Sequence, residues 1–129
     1  MLINLELEEF QMIEKKKESS GNVVGYKAIG DITASDYLQL ESEVKALVEK
    51  EGSIRMLIDL CEFKWEKMEA WLPDLKFGSE FRHEIQKMAI VGDLTWEKWI
   101  THLAKPFYAH DAKFFHHADM DKAWAWLRE

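Results

Sequence analysis

The chain has 129 residues, 47% of them hydrophobic, and a formal net charge of −7. That size predicts one domain, residues 1–129, able to bury about two thirds of its unfolded surface, and the acidic balance excludes nucleic acid, whose phosphates need a basic footprint. No stretch approaches the roughly 20 apolar residues of a membrane span, no basic-then-apolar leader opens the chain, and the single Cys61 excludes a disulfide framework and fits a reducing cytoplasm.

In chain order, residues 10–15 read as a short strand and Ser19-Ser20-Gly21-Asn22 as a turn. Residues 23–29 read as a second strand, which makes a hairpin closed by Gly30 and Asp31. Thr33, with Asp36 three residues on, predicts a helix N-terminus; Tyr37, Leu40, Val44, Leu47 and Val48 share one face, and Gly52 ends the helix. Residues 54–60 form a nearly continuous apolar run, as in a central strand covered on both sides. Pro73 suits the first turn of a helix over 73–85. Its Leu75, Phe77, Gly78, Phe81 and Ile85 spread over roughly 160° of the wheel, against the about 100° of an ordinary stripe. Residues 88–91 predict another buried strand. Thr95 then caps a helix over 95–106 carrying Trp96, Trp99, Ile100 and Leu103 on one face, with Phe107 in phase beyond Pro106. Residues 113–116 read as a last strand, and Asp119 as the cap of a terminal helix bearing Met120, Ala123, Trp124 and Leu127. Strands alternating with helices predict an α/β fold: a five-stranded mixed, mostly parallel sheet with an N-terminal hairpin and four helices.

All six Trp and all five His lie in the C-terminal half. Residues 1–63 hold a net charge of −6, residues 64–117 none and residues 118–129 −1, so the aromatic half is also the neutral one. Burying one Trp removes about 150–250 Å² from water, about 4–6 kcal/mol at roughly 25 cal/mol/Å². That much apolar area needs a cover, whether the protein's own core, a partner chain or a nonpolar ligand.

An ordered set of pieces resembles the SpoIIAA-like family of small bacterial proteins, related in fold to STAS domains and to CRAL-TRIO lipid carriers. The pieces are Gly30-Asp31-Ile32-Thr33 running into Asp36-Tyr37, then Leu57-Ile58-Asp59-Leu60, then the stretch from Trp71 to Gly78. Met88 to Asp93 with Trp96 behind it, Pro106-Phe107, Phe114 and the closing Ala123 to Leu127 complete the set. The resemblance implies a SpoIIAA/STAS-like fold, and a fold does not fix a function. Anti-sigma-factor antagonists of that fold are switched by phosphorylation of a Ser or Thr at the helix start after the third strand. Residues 54–78 contain neither, so that switch is not expected here.

Other chemistry is thinly represented. His102, His110, His116 and His117 lack a metal-binding spacing, and adjacent His116 and His117 on a strand would point to opposite faces; no metal or other cofactor is expected. His83 falls on a helix flank away from the stripe. Ser79 has no nucleophile elbow around it, and the glycines form no phosphate loop. Cys61 follows a central strand, yet a lone Cys there is ordinarily a packed small hydrophobe. The Lys15-Lys16-Lys17 run, flanked by Glu14 and Glu18, reads as a solvated strand end.

The aromatic stripes ordinarily pack on their own sheet. The sharper expectation is a lid: a non-enzymatic module or carrier enclosing a nonpolar small molecule or lipid between the helices 73–85 and 95–106. Trp71, Leu72, Leu75, Phe81, Trp96, Trp99, Ile100, Leu103 and Phe107 would line it. Reversible, peripheral membrane contact would use the same helices through apolar insertion, since −7 gives no attraction to anionic lipids. The alternative is a STAS-like protein-interaction domain or homodimer that buries those helices against a partner. An interfacially activated hydrolase comes last, for want of a nucleophile.

Overall fold

The structure is a computed structural model that describes residues 13–64, 84–93 and 111–129. The order is β1 (Ile13–Lys15), β2 (Val23–Asp31), α1 (Ala34–Glu51), β3 (Ile54–Lys64), β4 (Ile85–Gly92), β5 (Asp111–His116), a 3-10 turn (His117–Asp119) and α2 (Met120–Arg128). One sheet holds the five strands in the order β1-β2-β3-β4-β5. The β1–β2 pair is antiparallel and each later pair is parallel. The expected mixed, mostly parallel sheet is therefore present. Two of the four expected helices are α1 and α2; those expected over 73–85 and 95–106 lie outside the described residues, except that Glu84 lies in a turn and Ile85 belongs to β4.

Local chemistry explains the elements. Gly21 turns the hairpin at φ 58°, where a residue with a Cβ is strained. Thr33 and Asp36 form a reciprocal capping box: the Asp36 N–H donates to Thr33 Oγ1 at 3.1 Å, and the Thr33 N–H donates to Asp36 Oδ2 at 3.0 Å. Gly52, at φ 84°, ends α1 with its N–H donating to Val48 O at 2.7 Å.

The sheet is apolar on both faces, which is why its central strands read as unbroken apolar runs. On one face Val24, Tyr26, Ile54, Met56, Ile85, Met88 and Ile90 join Tyr37, Leu40 and Val44 of α1 in one buried cluster. On the other, Val23, Leu57, Ala89, Val91 and Phe115 join Ala123, Trp124 and Leu127 of α2.

Several boundaries differ from the sequence reading. Gly30 and Asp31 do not close the hairpin: they continue β2, paired with Phe63 and Lys64 of a β3 that runs past the expected end at Leu60. Parallel pairing extends both strands together. Ile85 opens β4 rather than ending a helix, because it lies opposite Ile54 and is completely buried. β5 starts at Asp111, two residues early, in register with Lys87. Asp119 makes no side-chain capping bond to α2, since the 3-10 turn sets its backbone outside the extended geometry a cap requires.

Candidate functional site

A buried polar node sits midway along β3, at a bulge where β3 pairs with β2 and opposite Val91, near the carboxyl end of β4. The β2–β3 ladder shifts between Lys27, opposite Asp59, and Ile29, opposite Glu62, so β3 carries one extra residue there. Such bulges re-aim side chains. Leu60 and Phe63 both reach the core on the α1 side, while Cys61 and Glu62 are exposed.

Asp59 is the one buried charged residue among the described residues. Its Oδ1 accepts the Cys61 backbone N–H at 3.0 Å, and its Oδ2 accepts Lys16 Nζ at 3.0 Å. Burial alone would raise the Asp59 carboxyl. Hydrogen bonds from the Cys61 thiol, the Cys61 N–H and Lys16, together with the Lys16 charge, outweigh it and hold the group below its ordinary value. The same environment pushes the Cys61 thiol up to about 12, first through burial, then through its hydrogen bond to Asp59 and that carboxylate's charge. Although Cys61 is exposed overall, its thiol is placed as a hydrogen-bond donor to the Asp59 carboxylate. Beside the node, Lys27 and Glu62 form a more exposed ion pair.

Lys16 reaches Asp59 across β2 because Gly25 leaves room. A Cβ on Gly25 would stand 3.3 Å from Lys16 Cδ and 2.5 Å from Trp124 Cη2. One missing side chain thus admits both the lysine stem and the indole that docks α2. This corrects the reading of Lys16 as a solvated strand end: its side chain is 15% exposed and ion-paired. Asp59 announced itself only as the lone acid in an apolar run. Nothing local to Lys16 pointed to its partner 43 residues away.

All nine residues proposed to line a ligand site, Trp71, Leu72, Leu75, Phe81, Trp96, Trp99, Ile100, Leu103 and Phe107, lie outside the described residues. The described sheet fixes where their segments are attached. β3 ends at Lys64 and β4 at Gly92, and the two are parallel neighbours with Asp59 opposite Val91. Residues 65–83 and 94–110 therefore follow the carboxyl ends of adjacent parallel strands.

His116 and His117 do not point to opposite faces as adjacent strand residues would. The strand ends at His116, His117 opens the 3-10 turn, and the rings lie 4.1 Å apart. Among the described residues no group of three His, Cys, Asp or Glu side chains could hold a metal ion.

The sequence profile of the SpoIIAA-like family matches residues 23–128. The chain belongs to the SpoIIAA-like family. The match takes in Asp59 and Cys61 but begins after Lys16. Among solved structures, an uncharacterized protein with a SpoIIAA-like fold from Shewanella loihica PV-4 is similar at a TM-score of 0.62 and 25% identity, over 89% of this chain and 93% of that one. No curated protein matches. Residues 54–78 contain no Ser or Thr. Among the described residues no helix is long and apolar enough to cross a membrane.

Proposed function

We propose that this SpoIIAA-like protein is a non-enzymatic binding module that encloses a nonpolar small molecule or lipid chain between the segments around 73–84 and 95–106. The observation that carries the reading is that β3 and β4 are parallel neighbours, so residues 65–83 and 94–110 follow the carboxyl ends of adjacent strands. These two stretches contain Trp65, Trp71, Phe77, Phe81, Trp96, Trp99 and Phe107. Side chains of this kind, with few polar anchors, are what apolar ligand pockets are made of. Reversible contact with a membrane through the same segments extends the proposal: apolar groups exposed on opening cost little at a lipid surface and favour closure in water.

The test is native mass spectrometry of freshly purified protein, paired with an organic extract. A co-purifying lipid or apolar metabolite, lost in Trp99→Asp, is expected. A ligand-free monomer that takes up no lipid from detergent overturns the proposal. A ligand-free dimer insensitive to mild detergent also overturns it, and assigns the segments to a subunit interface of the STAS-like interaction kind. The membrane extension is read separately: it requires co-sedimentation with neutral liposomes and a blue shift of Trp emission, and fails without them.

A further inference from the structure

Helix α2 starts on an unusual cap. With Asp119 making no capping bond, the N–H of Ala118 is taken by the imidazole of His116, Nδ1 accepting at 3.2 Å. His117 rests against that ring, with centroids 4.1 Å apart and planes inclined by 36°. A carboxylate cap keeps accepting down to about pH 4. An imidazole cap does not, because Nδ1 accepts only while neutral and histidine changes charge between about pH 5 and 8.

Protonation at Nδ1 turns the acceptor into a donor that faces another donor. Charging both rings would set like charges against each other at the N-terminal, positive end of the α2 macrodipole. The surrounding charges do not rescue the bond. Asp93 follows Gly92, which stands opposite His116 in the β4–β5 ladder. Asp119 is paired with Lys122 at 3.6 Å, Asp121 lies in the first turn of α2, and Lys113 on β5 stands over the Phe115 ring. The Ala118 N–H goes to Nδ1 and to none of these carboxylates.

We propose that His116 makes the docking of α2 pH-sensitive. In neutral medium the imidazole holds the turn that leads into the helix. In mildly acidic medium the turn loosens, and the cover over Val23, Leu57, Ala89 and Val91 opens more often. The inference rests on the described residues alone and stands apart from the ligand proposal.

Hydrogen exchange of the full chain, corrected for intrinsic rates, tests it at pH 7.5 and 5.5. Protection of Ala118 and residues 120–128 is expected to fall about fivefold on acidification, the scale of a lost cap, while protection in α1 stays unchanged. His116→Asn keeps a side-chain acceptor that does not titrate and is expected to remove the pH dependence. His116→Ala is expected to show the lower protection at both pH values. An unchanged wild type, or the same fall in His116→Asn, overturns the proposal.

Discussion

The two faces of the sheet are held in different ways. On one, the 18 residues of α1 supply a long apolar stripe, begun by a capping box and ended by a glycine. There the buried Tyr26 hydroxyl meets Glu43, and its pKa rises to about 12 through burial first and then that carboxylate's charge and hydrogen bond. On the other face, α2 has nine residues and buries only Ala123, Trp124 and Leu127 fully. Polar clasps make up the difference. Arg55 and Lys87, opposite each other on β3 and β4, donate to the last-turn carbonyls of Leu127 at 2.7 Å and Trp126 at 3.0 Å. They satisfy acceptors that a helix end leaves open and complement its dipole. Arg128 and Lys87 also lie over the Trp124 and Trp126 rings, each 5.0 Å from the centroid. The lesson is that a short helix with little area is positioned by directional contacts, and those are sensitive to single substitutions and to pH.

The largest expected effect is on the polar node of the α2 face. Lys16→Met leaves Asp59 buried and unpaired, which should cost about 3–5 kcal/mol at pH 7 in urea unfolding. Adding Asp59→Asn should recover part of it by removing the buried charge. The sign with pH follows from the lowered Asp59 carboxyl. Its contribution is fully present above the unfolded-state value of about 4 and is lost as pH falls through the lower folded-state value. The gap between wild type and Lys16→Met should therefore narrow in acid; a constant gap would mean that the ion pair is not its source.

Gly25→Ala comes next. Its Cβ would meet Trp124 Cη2 at 2.5 Å and Cζ2 at 2.7 Å, overpacking that should cost about 1–3 kcal/mol. Loss of exchange protection should concentrate in α2, and equal loss in α1 would erase the distinction between the faces. The smallest effect is Thr33→Ala. Removing the capping box should cost about 1 kcal/mol and loosen the first turn of α1 while leaving α2 intact, a contrast that residue-level exchange can resolve.

Much of the fold was legible because its signals are local. Thr33 with Asp36, Gly52, the Ser19–Asn22 turn and the apolar run from Ile54 each declare an element within a few residues. Errors came where local signals competed. Asp119 looked like a cap, but His116, three residues earlier at the strand end, took the role. Ile85 continued a helical stripe, but the partner Ile54 drew it into a strand. The polar node was barely readable: Asp59 was visible as a lone acid, whereas its lysine, its bulge and the notch at Gly25 depend on residues from two strands and the turn after β1.

By itself the sequence determined the α/β class, the strand order along the chain, both ends of α1 and the family, since periodicity and capping act over one or two turns of chain. Only the tertiary structure decided that Lys16 neutralises Asp59 and that Arg55 and Lys87 close the end of α2. Those pairings join residues 39 to 72 positions apart, and a contact between distant residues exists only after the sheet has set their register.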